Sequence, residues 1–212
     1  MKRMMTVTSL LTLALLLAGG CVVDAAERPA PANAPAIGKA APEFKAVDTY
    51  GKTHSLSQYR GKWVVLEWVN YDCPYVRKHY NSNTMQALQK KYADKGVVWL
   101  AIVSSAKGNQ GNYPNDELNA MTKEKGAAPH ALLVDASGEV GHLYDARTTP
   151  HMFVINPKGT LVYMGGIDDK PTSRAADLKD ARPHVDMALQ EAMAGKPVSV
   201  PTSQPYGCSV KY

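Results

Sequence analysis

The sequence predicts an α/β fold in which helices flank a central mixed β-sheet, with an N-terminal hairpin and a C-terminal tail. Two observations indicate this class. Apolar runs of strand length, residues 63–69 (WVVLEWV) and 97–103 (VVWLAIV), are typical of strands buried on both faces. A stretch with helical spacing lies between them, and a strand–helix–strand unit of about 40 residues implies two parallel strands with a right-handed crossover.

The other elements are predicted from periodicity and turn residues. Residues 44–56 favour a short hairpin around Tyr50-Gly51, and the helix between the two buried strands is predicted over residues 74–93. Later in the chain, the sequence predicts a helix over 115–125, a strand over 131–134, a short helix over 139–146, a hairpin of residues 152–156 and 160–164 around Pro157-Lys158-Gly159, and a last helix over 183–194.

The N-terminus has the layout of a signal peptide. A basic start precedes an apolar run, residues 10–18, that is too short for a comfortable membrane span. Ala18-Gly19-Gly20-Cys21 resembles a bacterial lipoprotein processing site, at which Cys21 would carry a lipid that anchors the chain to a membrane. Cleavage after Ala25 is the alternative. Under both interpretations the protein is exported to the periplasmic side of a bacterial membrane. It is lipid-anchored in the first and soluble in the second.

These boundaries divide the chain into four parts. They are a signal peptide (1–20), a lipidated cysteine with an Ala- and Pro-rich tether (21–38), a folded domain (39–195) and a tail that packs back on the domain (196–212).

The composition restricts what the folded part can be. With 212 residues and 45% hydrophobic content, the chain can bury a core without cross-links, so its three cysteines are expected to serve chemistry or attachment. Removing the signal peptide reduces the formal charge from +5 to +3, with 22 basic and 19 acidic residues left. A charge this weak does not favour a nucleic-acid partner. The histidines show no metal-ligand spacing, so we predict no metal site and no cofactor.

Cys73 is the candidate nucleophile. It follows a predicted buried strand and precedes Pro74, which places it at the N-terminal end of a helix, where free N–H groups and the helix dipole stabilise a thiolate. Arg77 lies one turn later on the same helix side, and Lys78 and His79 add positive charge. We therefore predict a lowered pKa for Cys73; the alternative is an inert buried cysteine.

Cys208 is the partner that remains for Cys73 if Cys21 carries a lipid. It lies in a tail that is interrupted by prolines and could run back across the domain, and Gly207 would let the backbone approach closely. Three outcomes stay open. The two cysteines could cycle between thiols and a disulfide, form a permanent disulfide that pins the tail, or never meet.

The order of these elements, with a cysteine at the first strand-to-helix junction, is that of the thioredoxin fold. Four segments carry a closer resemblance, which spans residue 36 to the C-terminus: 70–80 (NYDCPYVRKHY), 148–150 (TTP), 165–169 (GGIDD) and 207–212 (GCSVKY). They resemble the peroxiredoxin-like branch of this superfamily, which includes alkyl hydroperoxide reductase and thiol-specific antioxidant proteins.

The resemblance also implies roles for residues around Cys73. Asn70 stands where thioredoxins have their first cysteine, and its amide can donate a hydrogen bond to a thiolate or peroxide oxygen. Thr149-Pro150 corresponds to the cis-proline that faces the reactive cysteine, which leaves the Thr149 backbone to pair with an extended substrate or with the tail. Typical peroxiredoxins have an arginine where this chain has Pro150, so Arg147 or Arg77 would have to replace it.

The leading hypothesis is an exported, lipid-anchored thiol peroxidase with Cys73 as nucleophile and Cys208 as resolving thiol. Its partners would be a peroxide or protein disulfide substrate and an external thiol reductant. One alternative is a thiol–disulfide exchange protein that acts on exported proteins. The other is a non-catalytic thioredoxin-fold lipoprotein with a structural Cys73–Cys208 disulfide. Asp168-Asp169 is predicted to be a turn and cap rather than an acid–base pair.

Overall fold

The computed structural model describes Met1 and residues 34–212. The predicted signal peptide, Cys21 and most of the tether lie outside the described residues. The α-helices are α1 (Pro74–Asn81), α2 (Thr84–Ala93), α3 (Asn115–Glu124), α4 (Glu139–Leu143) and α5 (His184–Met193), and two 3-10 helices span Leu56–Tyr59 and Ala175–Asp180. The strands are β1 (Lys45–Asp48), β2 (Thr53–Ser55), β3 (Val64–Trp68), β4 (Val98–Val103), β5 (Ala131–Val134), β6 (Thr148–Thr149), β7 (His151–Ile155), β8 (Leu161–Gly165) and β9 (Cys208–Ser209).

Seven strands form the central sheet in the order β2-β1-β5-β4-β3-β7-β8, and β6 pairs with β9 in a separate two-stranded sheet. Strands β3, β4 and β5 are parallel neighbours, whereas β7 and β8 run antiparallel beside β3. The sheet is therefore mixed, and the predicted α/β class, parallel β3–β4 pair and two hairpins are confirmed.

The sheet has a hydrophobic core on each face, which is why β3 and β4 are buried along their whole length. On one face, Trp99 of β4 belongs to the cluster that contains Tyr80 of α1 and Leu189 of α5. On the other face, Trp68 packs at a ring-centroid distance of 5.5 Å from Tyr144. Continuous apolar runs were the signal that located these two strands.

The prediction of one helix over residues 74–93 is wrong. The chain forms α1 and α2, which are separated by Asn83 in the left-handed conformation with φ of +59°. Apolar spacing continues on both sides of this break, so periodicity could not reveal it. Similarly, α4 ends at Leu143 instead of residue 146, because Asp145 adopts φ of +48°, which a right-handed helix cannot include.

Asn83 provides a test of this break. Asn83→Ala should lower the free energy of unfolding by about 1 kcal/mol, because alanine pays the steric cost of a left-handed residue, whereas Asn83→Gly should not destabilise. Urea denaturation measures both changes. Asn81→Ala, at an exposed position at the end of α1, is the control for loss of an asparagine side chain. Equal destabilisation by alanine and glycine at position 83 would contradict a left-handed residue there.

The tail, residues 196–212, runs along the domain and is tied to it by backbone hydrogen bonds. Ser203 N donates to Met164 O at 3.2 Å, and Val210 N donates to Arg147 O at 3.0 Å. Between these points β9 pairs with β6, with Cys208 opposite Thr149. Gly207, at φ of +141°, passes so close that a Cβ on it would lie 2.0 Å from the Thr149 carbonyl oxygen.

Within the described residues, the helices are all too short or too polar to cross a lipid bilayer.

Candidate active site

Cys73 is the N-cap of α1. Strand β3 ends at Trp68, the Cys73 N–H donates to Asn70 O at 3.0 Å, and Pro74 occupies the first helical position, where a missing N–H costs nothing. The side chain is completely buried. As the sequence predicts, the cysteine lies where the free N–H groups of the first turn point toward its sulfur.

The pKa of Cys73 is lowered even though the site is buried. Burial has the largest influence and raises it, but hydrogen bonds to the sulfur from the Cys208 thiol, the Thr149 side chain and the backbone N–H groups of Cys208 and Val76 outweigh that effect. Thr149 Oγ1 is buried without a hydrogen-bond partner while Cys73 is a thiol, so ionisation of Cys73 gives it an acceptor. The site therefore favours the nucleophilic thiolate.

The two cysteines have opposite shifts. The pKa of Cys208 is raised to about 11, first by burial and then because its thiol donates to Cys73 and lies near the charge of that sulfur. Both residues are free thiols in the structure, and Cys208 is half-buried. Cys73 is thus the group that ionises, while Cys208 keeps its proton and donates a hydrogen bond to it.

The proline loop completes the site. The Thr149–Pro150 peptide bond is cis, as the resemblance implies. The Cys73 thiol donates to Thr149 O at 3.1 Å, and the Thr149 backbone pairs with Cys208 of β9. The sequence allowed either a substrate or the tail to pair with the Thr149 backbone. In the structure, the tail occupies this edge of β6.

Asn70 lies in the loop before Cys73, but its side chain bonds elsewhere. Its Oδ1 accepts from Asp72 N at 3.0 Å, and its Nδ2 donates to Gln110 O at 3.3 Å. Val76 lies three positions after Cys73, so the first turn of α1 has no second cysteine. A role for Asn70 in holding peroxide stays a prediction.

The two arginines suggested by the sequence lie at separate places. Arg77 is exposed on α1, and the Arg147 guanidinium pairs with Asp145 at 2.6 Å in an exposed position. The main influences that lower the pKa of Cys73 are hydrogen bonds from Cys208, Thr149 and Val76, not the charge of a guanidinium. Substrate positioning by either arginine stays a prediction.

A buried polar cluster lies beside the site, and the sequence analysis missed it. It consists of Lys78 and His79 of α1, Asp168 after β8 and Tyr206 of the tail, which we call the Tyr206 cluster. Lys78 Nζ lies 3.8 Å and His79 Nε2 3.9 Å from Asp168 Oδ2, and the Tyr206 hydroxyl donates to the Asp168 carboxylate. Asp168 also accepts from Lys170 N at 2.8 Å, which is the predicted turn, but its main surroundings are these three side chains.

Lys78 and His79 do not act as the exposed positive charges that the sequence suggested. Burial, followed by the charge of Lys78, lowers the pKa of His79 to about 3, so the imidazole is neutral. Burial also lowers the pKa of Lys78, although Asp168 counteracts this. The two side chains bind the tail rather than create a positive field around Cys73.

Glu67, in the middle of β3, is a second missed residue. It is completely buried and accepts hydrogen bonds from Tyr80 Oη at 2.9 Å, Gln89 Nε2 at 3.2 Å and Trp99 Nε1 at 2.7 Å. Burial without a cation raises its pKa to about 7, although the three donors lower it. A lone carboxylate inside the apolar run WVVLEWV was the signal that could have identified it.

Comparison with known proteins identifies the family of this chain. The family model described as the AhpC/TSA family matches residues 37–164. The chain belongs to the AhpC/TSA family. Within residues 34–212, no group of three or more His, Cys, Asp or Glu side chains is arranged to hold a metal ion.

Relatives of two kinds match part of the chain. The chain is 32% identical over 114 residues to the selenocysteine-containing peroxiredoxin PrxU of Peptoclostridium acidaminophilum, which covers 51% of this chain and 53% of PrxU. It is 30% identical over 129 residues to the thiol-disulfide oxidoreductase ResA of Geobacillus kaustophilus, which covers 60% of this chain and 67% of ResA. The chain thus spans about half the length of PrxU and two thirds of ResA.

Solved structures extend the likeness beyond the family region. An uncharacterised conserved protein from Geobacillus kaustophilus superposes with a TM-score of 0.71 at 25% identity, covering 85% of this chain and 94% of that chain. A hypothetical protein from Sinorhizobium meliloti gives a TM-score of 0.66 at 25% identity, covering 85% and 96%. A putative thiol:disulfide interchange protein DsbE from Chlorobium tepidum, with a TM-score of 0.51 at 23% identity, has the same fold. The protein has a thioredoxin-like fold.

Proposed function

We propose that this protein is a thiol peroxidase in which Cys73 is the nucleophile and Cys208 is the resolving thiol. One observation carries the proposal: a buried thiol with a lowered pKa at a helix N-terminus is hydrogen-bonded to a second thiol with a raised pKa. A pair of this kind suits a reaction in which one sulfur attacks an oxidant and the other closes a disulfide.

The proposed cycle has three steps. The Cys73 thiolate attacks one oxygen of a peroxide, breaks the O–O bond and becomes a sulfenic acid, while the other oxygen leaves as an alcohol or water after protonation. The Cys208 sulfur then attacks the Cys73 sulfur and forms the disulfide. The hydroxide that leaves takes the Cys208 proton and departs as water. An external thiol reductant supplies two electrons and two protons to restore both thiols.

Access to Cys73 favours a small oxidant. The sulfur is completely buried, and β9 occupies the edge of β6, so a peroxide can reach it with less rearrangement than a protein can. The second candidate is thiol–disulfide exchange with exported proteins. Pro150 in place of the family arginine favours that candidate, as does the likeness to ResA. It requires displacement of the tail, and a static Cys73–Cys208 disulfide remains the non-enzymatic alternative.

The N-terminal pattern supports a location on the periplasmic side of a bacterial membrane. In this proposal a lipid on Cys21 anchors the chain, the Ala- and Pro-rich residues that follow it form the tether, and the domain acts on the periplasmic side. The tether ends earlier than the predicted residue 38, because Ile37 packs against the core and Gly38 N donates to Leu161 O at 2.8 Å.

The proposed chemistry is tested by peroxide consumption in the presence of a dithiol reductant. Cys73→Ser should abolish turnover because a hydroxyl at this position has no accessible anionic form. Cys208→Ser should retain one rapid reaction with peroxide and then stop at the sulfenic acid, which a dimedone probe detects by mass spectrometry. Peroxide turnover that persists unchanged in Cys73→Ser would refute the proposal.

The exchange alternative gives a different result in the same variants. Cys208→Ser, incubated with a disulfide-containing protein, should accumulate a mixed disulfide at Cys73 if protein exchange is the function. Rapid trapping of such a protein, together with peroxide turnover no faster than that of free cysteine, would favour the second candidate.

A further inference from the structure

We propose that Tyr206 is a positioning residue: by anchoring the tail in the Tyr206 cluster, it holds the Cys208 sulfur against Cys73. This inference rests on the proposed pairing of the two cysteines, but it requires only that they form a disulfide, not that the oxidant is a peroxide.

The Tyr206 side chain is held from several directions. Its residue is only 8% exposed, and its hydroxyl donates to Asp168 and accepts from Lys78 Nζ at 3.1 Å. The Lys78 ammonium also lies 4.9 Å from the centre of the Tyr206 ring, and Tyr75 packs edge-on with a ring-centroid distance of 6.0 Å. A buried phenol with a carboxylate and an ammonium as partners has a well-defined position, because moving it would leave both charges poorly paired.

The anchor and the nucleophile are on the same rigid element. Lys78 lies in α1, which is eight residues long, and Cys73 is the N-cap of the same helix. Tyr206 is separated from Cys208 by Gly207 alone, and Gly207 is in close contact with the Thr149 carbonyl. The Lys78–Tyr206 contact therefore fixes Cys208 relative to the same helix that holds the Cys73 sulfur.

Local pairing near Cys208 is too short to do this alone. Strand β9 contains two residues and pairs with the two residues of β6. Isolated two-stranded pairings are marginal in water even when longer, so the position of Cys208 depends on an anchor elsewhere in the tail. Tyr206 is the buried residue of the tail closest to Cys208 in the chain.

The effective concentration of Cys208 at Cys73 measures this positioning. The full chain is equilibrated with reduced and oxidised glutathione, which accepts the two electrons and two protons that the thiols release, and the disulfide fraction is read by mass spectrometry. Tyr206→Phe removes only the hydroxyl, and we expect the equilibrium constant for the disulfide to fall about tenfold. The reaction of Cys73 with an alkylating probe should become faster, because the tail covers it less.

A matched control separates positioning from general stability. Tyr144→Phe also removes a buried hydroxyl, which donates to Pro42 O at 2.6 Å and belongs to the core on the other face of the sheet. Its disulfide equilibrium should equal that of the wild-type protein, even if its melting temperature falls as far as that of Tyr206→Phe. Equal disulfide constants for the wild type and Tyr206→Phe would overturn the inference, as would an equal fall in both variants.

Asp168→Asn provides a second approach if Tyr206→Phe does not fold. It removes the charge that the Tyr206 hydroxyl and Lys78 share, and it should lower the disulfide constant in the same direction. An unchanged constant in Asp168→Asn would count against the anchor. If the wild-type protein shows no peroxide turnover while Tyr206→Phe weakens the disulfide, the peroxidase proposal fails and the positioning inference stands.

Discussion

Replacing Gly207 by alanine should separate the two cysteines. A Cβ at this position would lie 2.0 Å from the Thr149 oxygen and 2.7 Å from its carbonyl carbon, so β9 cannot stay paired with β6. Both obstructing atoms belong to the backbone of the cis-proline loop, which has little freedom to move away. We expect the constant for the Cys73–Cys208 disulfide to fall at least about a hundredfold, because Cys208 becomes a loosely tethered thiol.

The measurement is the same glutathione equilibrium, with exposure of Cys73 followed by alkylation. Gly195→Ala is the matched control, since Gly195 also has a positive φ, +73°, but nothing lies within 4 Å of its added Cβ. Gly195→Ala introduces backbone strain but no contact of the added Cβ with other atoms, so its disulfide constant should be unchanged. If Gly207→Ala forms the disulfide as readily as the wild type, the tail does not approach Thr149 as described.

Glu67→Gln should change how stability depends on pH. The carboxyl pKa is about 7 in the folded protein against a reference value of 4.5, so the folded state holds its proton more tightly than the unfolded state does. Stability is therefore complete below about pH 4.5 and declines as the pH rises towards 7. Above that value both states are ionised, and the penalty levels off at about 3 kcal/mol.

The glutamine variant is neutral throughout and lacks this decline. Urea denaturation of both proteins at pH 4.5 and pH 8 should show the variant gaining about 3 kcal/mol relative to the wild type between the two values. Glu124→Gln, whose side chain is 73% exposed, is the control and should follow the wild-type profile. Parallel pH profiles for Glu67→Gln and the wild type would contradict the raised pKa.

The fold was largely predictable because its strands carry strong local signals. The run that became β4 is apolar throughout, the run that became β3 is apolar except for Glu67, and the turns of both hairpins contain a glycine. The break at Asn83 was missed because the apolar spacing continues across it, although residues 81–84 (NSNT) are a cluster of turn-favouring residues. The β6–β9 pair was also missed, because a two-residue strand depends on where the tail lies in space rather than on its own periodicity.

The candidate site was predictable in part, for a similar reason. Cys73 could be located from its strand-to-helix junction, and Thr149-Pro150 from the family resemblance. The Tyr206 cluster joins α1, the segment after β8 and the tail, and nothing in the local sequence of Lys78 or His79 distinguishes a buried polar contact from a charged surface. Only Glu67 carried a local signal that the sequence analysis did not use.

The position of the tail also makes the pairing of Cys73 with Cys208 depend on folding of the rest of the domain. Cys208 reaches Cys73 only over a surface made by α1, the cis-proline loop and the segment after β8, and all of these precede it in the chain. A chain that is still incomplete, or whose sheet has not formed, presents Cys73 without its partner. Pairing of the two thiols therefore requires the fully folded chain, and the reactivity of Cys73 differs between the folded and the incompletely folded protein.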